Sequence, residues 1–563
     1  MQNPIIVLKF GSSVLRDEND LPAAVHEIYR WWRDGFQVVA VVSAFGDTTN
    51  ELTRRAQSVC EQPNDTLVAA LLATGEAASS ALLGLALSRS GIPATVVDSE
   101  QAGLTTDGPT LDAQLISVNS AALFNALRHG VVVLPGFVGK GRGGQTTLLG
   151  RGGSDLTALF LAQRLGGVCR LIKDVDGLYT SDPNAGPPAA RFVRVSYATA
   201  VRVGGAVVQR KAIEFAERHR LRFTVSSVAS CGATEIGPYA DSIALPQVKS
   251  EPLRVALLGC GTVGGGVYQR LAALPEFFQV VGIGTRNVSA DVPPELITTR
   301  LEELIAEPVD VVIELLGGDE PARTLISSAL RFGRNVVTAN KALLATDLAP
   351  LQTLAAINGV SLKYSAAVGG VLPALETISR ARSSGPLHSI SGVLNGTTNF
   401  ILDQLADGLS LSDALTIAKQ HGYAERDPQL DLDGTDAAQK LILLARAAFD
   451  VDLPLSAIHK LGIENLELNN TGCVRRLVAE CRRDIDGLSA TVAPVALPLD
   501  HPLTRVSGVE NRLLIQSSSG KCWEISGQGA GRWPTTEAVL ADLFELRRQL
   551  ISSETAAEEE CVA

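Results

Sequence analysis

Residues 253–274 read LRVALLGCGTVGGGVYQRLAAL, and this stretch decides the architecture of the second half of the chain. LRVALL is a short apolar run of the kind that forms a buried parallel strand, and VYQRLAAL has helical spacing. Between them Gly259, Gly261 and Gly264 make G-x-G-x-x-G, with Thr262 and Val263 in the same turn. Glycines at those places permit a tight turn and let backbone amides at a helix N-terminus approach a pyrophosphate closely. The triplet alone also fits a tight turn in another α/β fold; its place between strand and helix is what points to a dinucleotide site.

Towards the C-terminus the next strand, FQVVGIGTRN, ends at Arg286. NAD-preferring sites usually present a carboxylate there to the ribose 2′-hydroxyl; a guanidinium suits a 2′-phosphate, which favours NADPH and leaves NADH possible. A solvated strand-end charge accounts for Arg286 equally well. VDVVIELLGG places Gly317 and Gly318 after a buried strand, and RNVVTANKALLA places Asn340 and Lys341 after another. Both loops fall at the carboxyl edge of a parallel sheet, where ligands bind. Past about residue 375 the alternation gives way to longer helices and isolated strands, with LSDALTIAKQHG and GTDAAQKLILLARAAF among the helices.

Towards the N-terminus IIVLKF, FQVVAVVSA, VVVLPGF and CRLIKDV alternate with Ala/Leu-rich helical stretches, the pattern of a parallel sheet sandwiched by helices. Between the halves IGPYADSIALPQVKSEP loses periodicity and carries prolines, which places a linker at 241–252. The expected domains are 1–240, 253–375 and 376–550, the last returning at its end to the nucleotide-binding domain; the acidic tail 551–563 is expected to fray.

At 563 residues the chain exceeds the roughly 250–300 over which one core keeps growing, consistent with this division. A formal charge of -11 offers no general attraction to nucleic acid or anionic lipid, so anionic ligands need local sites. The eight cysteines are far apart, with no C-x-x-C pair, and read as reduced thiols. MQNPIIVLKF lacks the layout of a signal peptide, and no run of 18 or more apolar residues suggests a membrane span. A cytoplasmic protein is expected.

LKYSAAVGGVLPALE, ISGVLNGTTNFILDQL, HGYAERDPQLDLDGTDAAQKLILLARAAF, HPLTRVSGVENRLLIQ and GQGAGRWPTTEAVLADLF follow in that order. With them, about residues 252–548 resemble homoserine dehydrogenase. The resemblance implies a Rossmann domain, an α+β substrate domain, a homodimer or higher homo-oligomer formed through the latter, and reversible NAD(P)H-linked reduction of aspartate 4-semialdehyde to homoserine. It assigns Lys341 and Lys440 as active-site lysines, Lys341 as proton donor and Lys440 orienting the substrate and polarising its carbonyl, or the two exchanged. Asp436 lies four residues before Lys440, on the same helix face. Glu425 and Asp436 would meet the substrate ammonium, and Asn395 and Thr397 of NGTTN would border substrate and nicotinamide. Ser365 stands where the family often has an acid that helps hold a monovalent cation; Val368 and Gly370 could still offer carbonyls, with weaker binding expected.

In the first half VLKFGSSVL, VVSAFGDTTNEL, LLATGEAASSALL, TTLLGRGGSDLTALFLAQRLG and LIKDVDGLYTSDPN are similar to the aspartate kinase branch of the amino-acid-kinase family over about residues 4–240. The resemblance implies transfer of phosphate from ATP with Mg2+ to the β-carboxylate of aspartate, which is already ionised and needs positioning and charge neutralisation. By resemblance Lys9 stabilises the transferring group; Gly11, Ser12 and Ser13 line the phosphate loop; Asp174 orients this centre or the magnesium nucleotide. Glu76 would meet the ammonium and Arg151 the α-carboxylate, assisted by Thr48. Gly152 to Asp155 would face the substrates, although R-G-G-S-D alone reads as a capped helix start. Two departures stand out: the phosphate loop is one residue short of the family's two glycines, and GGAVVQRK replaces G-A-x-V-L-H-P-R at 204–211.

Together the halves imply the first and third steps from aspartate to homoserine, towards threonine and methionine. The stretch between about 237 and 253 has no room for the ACT-type regulatory domains of longer fusions, so feedback by threonine or lysine through such domains is not expected. Competing readings are a working dehydrogenase carrying a silent kinase-like scaffold or sensor, and a dehydrogenase for a related amino-acid aldehyde.

Overall fold

The computed structural model describes residues 3–182, 189–205, 207–230, 232–244, 251–286, 292–424, 427–464, 466 and 472–562. The chain divides into two units, Met1–Lys249 and Ser250–Ala563.

The first unit is built on a nine-stranded sheet. Its centre holds Ile5–Phe10 (β1), Gln37–Val42 (β2), Val131–Pro135 (β3) and Val168–Ile172 (β4), in the order β4, β1, β2, β3. These strands run parallel and are rich in buried Val, Ile and Leu, as a sheet covered on both faces requires. Phe223–Ser226 extends the parallel run beside β4. The edge strand Ser242–Ile243 pairs antiparallel with Phe192–Ser196, so this sheet reaches into the stretch read as linker.

Helix Asp65–Arg89 (α1) packs on the sheet: a Cβ at Gly84 would overlap Val96. It is long and apolar enough to cross a membrane by length and composition; yet it carries the buried Glu76, and its Val68, Leu72, Leu83 and Leu87 are buried, the marks of a core helix. Helix Gly153–Leu165 (α2) is buried along nearly its whole length, and Gly152 before it takes a left-handed conformation, φ 80°.

In the second unit Leu253–Leu258 (β5) leads into helix Thr262–Ala272 (α3) and then Phe278–Gly284 (β6), Val311–Glu314 (β7) and Asn335–Thr338 (β8). The sheet order is Ile297–Thr298, β6, β5, β7, β8, Leu362–Lys363, all parallel. In order of appearance that is 3-2-1-4-5-6, the doubly wound arrangement with its crevice where the winding reverses, between β5 and β7. Helix Lys341–Ile357 (α4) follows β8.

The substrate part has a second sheet, with Leu387–Val393 (β9) between the long strand Val474–Asp484 (β10) and Glu510–Ser517 (β11). Helices Gly396–Ala406 (α5) and Thr435–Phe449 (α6) follow the two segments richest in candidate site residues. The last helix, Arg532–Val562 (α7), returns to the nucleotide-binding part. A Cβ at Gly266 of α3 would lie 2.6 Å from Thr536 Oγ1, Arg270 pairs with Glu537 at 3.1 Å, and Phe278 meets Phe544 edge-on. The tail read as frayed continues as helix to Val562.

Candidate active sites

In the second unit the glycine turn has the shape its sequence requires. Gly259 has φ 98°, and a Cβ there would sit 2.6 Å from the Leu315 carbonyl oxygen. A Cβ at Gly264 would overlap the Gly259 carbonyl oxygen, whereas Gly261, the N-cap residue of α3, faces open space. Thr262 is exposed and Val263 half-buried. The start of α3 thus presents free amides at the sheet edge, a cradle that fits a pyrophosphate. Arg286 is exposed two residues beyond β6.

One buried acid organises the opposite loops. Glu314, fully buried at the end of β7, accepts hydrogen bonds from Leu316 N at 2.8 Å, Gly317 N at 3.2 Å and Thr338 Oγ1 at 2.6 Å. Thr338 Oγ1 also accepts from Asn340 N at 3.0 Å. Asn340 donates to Gly318 O at 2.7 Å and caps α4 by accepting from Leu343 N at 3.2 Å. Gly317 and Gly318, both with φ 71°, allow the loop to turn back towards it. Lys341, the first residue of α4, is thereby aimed out of the nucleotide-binding part.

It meets Asp436 of α6. Lys341 Nζ lies 3.0 Å from Asp436 Oδ1, and Lys440 Nζ lies 2.9 Å from Oδ2. Lys440 also donates to the Leu394 carbonyl at 2.7 Å. Burial alone would raise the Asp436 pKa, but the two ammonium groups outweigh it and hold the carboxyl well below the usual range. The lysines differ in access: the Lys341 side chain is 38% exposed and that of Lys440 7%.

Asn395 Nδ2 donates to Asp436 Oδ2 at 2.8 Å and to Asp431 Oδ1 at 2.6 Å, while its Oδ1 accepts from Thr398 N. Burial and the nearby Asp436 charge push the Asp431 pKa up against the Asn395 hydrogen bond. Thr397 Oγ1 donates to Tyr423 O at 2.6 Å. Glu425 lies outside the described residues.

Around the expected cation segment, Val368 and Gly370 are buried. Ser365 Oγ donates to Glu376 Oε1 at 2.9 Å and Ser365 N to Asp542 Oδ2 at 3.0 Å. Two carboxylates thus stand beside the serine.

The kinase-like site gathers at the ends of β1 and β4. Lys9 pairs in register with Leu171, so Lys9, Leu171 and Lys173 face the same side of the sheet. Asp155, in the first turn of α2, lies between the lysines: Lys9 Nζ to Oδ1 is 2.8 Å and Lys173 Nζ to Oδ2 is 2.9 Å. Burial would raise the Asp155 pKa, but the lysines hold it low. A Cβ at Gly11 would be 3.1 Å from Lys9 Nζ, which sets that ammonium over the turn carrying the exposed Ser12 and Ser13.

Glu76 is buried, with one oxygen 3.4 Å from Ala44 N and the other, Oε2, without a hydrogen-bond partner among the described residues. Burial pushes its pKa up to about 7, against the Ala44 amide and the charge of Lys9. Thr48 is half-buried close by, its Cγ2 within 3.3 Å of where a Cβ on Gly75 would stand. Arg151 and Asp174 are exposed at the rim. Asp155, read from sequence as facing substrate, has both oxygens engaged by lysines.

Asp431, Glu314 and Lys173 were missed by sequence reading. Lys173 left a signal, a lysine directly after a buried strand and in phase with Lys9; Glu314 left the equivalent one, an acid closing an apolar strand.

Comparison with known proteins agrees with this division. Residues 4–226 match the amino acid kinase family, 259–364 the NAD-binding domain of homoserine dehydrogenase, and 373–544 homoserine dehydrogenase itself. The homoserine dehydrogenase of Mycobacterium tuberculosis is 36% identical over 324 residues, 54% of this chain and 74% of the relative. That of Synechocystis is 34% identical over 54% of this chain and 75% of its own length. The crystal structure of a homoserine dehydrogenase from Thiobacillus denitrificans aligns with TM-score 0.50 and 33% identity, covering 53% of this chain and 73% of that one.

Proposed function

Because the chain belongs to the homoserine dehydrogenase family and carries an amino-acid-kinase domain ahead of it, we propose that one polypeptide phosphorylates the β-carboxylate of L-aspartate and reduces L-aspartate 4-semialdehyde to L-homoserine. The observation carrying the second activity is one buried carboxylate, Asp436, bracketed by Lys341 and Lys440 from different parts of the unit.

Reduced nicotinamide, when bound, supplies a hydride to the aldehyde carbon. The protein's task is to receive the charge that develops on oxygen. Lys341, open to solvent on one side, gives up a proton to the alkoxide and is recharged from water. Lys440, fixed by Asp436 and the Leu394 carbonyl, polarises the carbonyl. Asp436 holds both ammonium groups. Asp431, together with Glu425, receives the substrate ammonium; Asn395 keeps Asp431 and Asp436 in register, and Thr397 borders the pocket.

Gly259, Gly261, Thr262, Val263 and Gly264 hold the pyrophosphate; Gly317 and Asn340 border the nicotinamide. Arg286 favours NADPH by meeting the 2′-phosphate. A monovalent cation would rest on the Val368 and Gly370 carbonyls, weakly because Ser365 is neutral.

In the kinase domain Lys9 neutralises the transferring phosphoryl group over the loop Gly11–Ser13. Asp174 orients the magnesium nucleotide. Glu76 takes the aspartate ammonium with its unpartnered oxygen; Arg151 and Thr48 hold the α-carboxylate. A homodimer through the substrate part and a cytoplasmic location complete the reading.

The substrate is tested by NADPH oxidation over a panel of amino-acid aldehydes. Aspartate 4-semialdehyde should give the highest kcat/KM, and Lys341→Met should lower it about 10²–10⁴-fold. Preference for another aldehyde would overturn the assignment.

A further inference from the structure

The Lys440 ammonium carries three N–H donors. Among the described residues two of them have acceptors, Asp436 Oδ2 at 2.9 Å and the Leu394 carbonyl at 2.7 Å, which leaves the third for the oxygen of the substrate aldehyde. Its direction is set by whatever fixes those two acceptors. Asp436 is fixed by Asn395 and Lys341. Leu394 stands one residue past β9 and needs a holder of its own.

That holder is Asn511. The β9–β11 ladder ends with Val393 opposite Arg512, so the same antiparallel register puts Asn511 opposite Leu394. Asn511 is fully buried, and its Nδ2 donates to Leu394 O at 3.0 Å. A carbonyl can only accept, so the amide has one usable orientation here. Backbone closes around the pair: a Cβ at Gly529 would overlap Asn511 Nδ2, and one at Gly396 would lie 2.6 Å from Val509 O. The turn before Asn511 is anchored as well. Asn399 Nδ2 donates to Gly508 O at 2.8 Å, Gly508 N donates to Asp403 Oδ2 at 3.3 Å, and Asp403 pairs with the buried Arg476 at 2.7 Å.

Packing alone does not call for an amide at this position. The other edge of the Asn511 side chain, Oδ1, is buried with no hydrogen-bond partner among the described residues. That costs free energy which leucine, with as many heavy atoms, would avoid. The edge that is satisfied is the one that holds an acceptor of Lys440.

We propose that Asn511 is a positioning residue for the reduction: by fixing the Leu394 carbonyl it holds the Lys440 ammonium with its third N–H directed at the aldehyde oxygen. The inference rests on the dehydrogenase reading and deepens it. Without the amide, Leu394 and Lys440 keep their mutual hydrogen bond but are free to shift together, and a misplacement of about 1 Å can cost roughly 10²-fold in rate. The loss falls on kcat more than on KM, because the donor matters most once charge has developed on the oxygen.

The test is NADPH oxidation with aspartate 4-semialdehyde by the full chain, comparing wild type, Asn511→Leu, Lys440→Met and the double variant, with NADPH affinity from fluorescence titration. Asn511→Leu should lower kcat about 10–100-fold while KM for the aldehyde and the Kd for NADPH stay within about threefold. In the Lys440→Met background the same substitution should change kcat less than about threefold, since a residue acting only through Lys440 has nothing left to position. Asn511→Ser, too short to reach the Leu394 carbonyl, takes the same test if circular dichroism shows that the leucine variant fails to fold.

A kcat within threefold of wild type, a loss that appears in KM or in NADPH affinity instead, or a loss that recurs undiminished without Lys440 would overturn the proposal and leave Asn511 a packing residue. These results differ from failure of the reading beneath it. No oxidation of NADPH by the wild type, or a rate untouched by Lys440→Met, would remove the dehydrogenase mechanism and the proposal with it; an impaired Lys440→Met beside an unimpaired Asn511→Leu would remove the proposal alone.

Discussion

Replacing Asp436 by Asn keeps the shape of the side chain and removes the one charge that two lysines share. Lys440, whose side chain is 7% exposed, is left with the Leu394 carbonyl at 2.7 Å as its neutral acceptor. Stripping one partner from a buried pair in this way costs about 3–5 kcal/mol. Lys341 adds less, because its side chain is 38% exposed and water screens it. At roughly 2–4 °C per kcal/mol, the dehydrogenase unit should melt about 6–20 °C lower.

The catalytic loss should be separate from this. With Lys440 left without its counter-charge, and Lys341 no longer held, stabilisation of the developing alkoxide weakens by an amount comparable to removing one oxyanion donor. That corresponds to roughly 10²–10³ in kcat. NADPH oxidation with aspartate 4-semialdehyde measures the rate, and circular dichroism the melting. The folded-state pKa of Asp436 lies below its ordinary value of 3.8. Its stabilisation is therefore complete above the unfolded pKa and is lost as pH falls through the lower folded value. Between pH 5 and 8 it should cause no change in stability. A variant with kcat within threefold of wild type and an unaltered melting point would refute the reasoning.

Other outcomes follow from the same geometry. Glu76 has its pKa pushed up to about 7 by burial and must be ionised to hold an ammonium, so the kinase KM for aspartate should rise as pH falls below about 7; Glu76→Gln should have a high KM without that dependence. Gly264→Ala places a methyl group on the Gly259 carbonyl oxygen, which should abolish NADPH binding by fluorescence titration while ATP binding persists. Exchanging sodium or potassium for a large organic cation should change the dehydrogenase rate less than threefold, since Ser365 is itself neutral and its hydroxyl and amide are engaged by Glu376 and Asp542.

The parts of the fold that were legible are those written in local pattern. Gly259, Gly261 and Gly264 announced a nucleotide turn because each answers a steric demand between adjacent elements. Asp436 and Lys440 were readable as a pair because four residues on a helix place them together. Lys341 needed the resemblance, since its meeting with Asp436 depends on how two parts of the unit pack. Asp431 was hidden because its partner Asn395 is 36 residues away, and the surrounding acids Asp427 and Asp433 look no different in sequence. Lys173 and Lys9 lie on strands whose adjacency is fixed only by sheet order. Composition records the acidity of the tail but not the helix that carries the chain onward from Phe544 to Val562.

The decisive measurement is hydroxamate trapping with the purified full chain, ATP, Mg2+ and aspartate, alongside Lys9→Met. Two working sites on one polypeptide predict steady aspartyl hydroxamate formation by the wild type, its loss in Lys9→Met, and undiminished NADPH-dependent reduction of aspartate 4-semialdehyde in both. Absence of hydroxamate from a wild-type preparation that reduces the semialdehyde, even at high enzyme concentration, would contradict the bifunctional reading and leave the first unit without a kinase role.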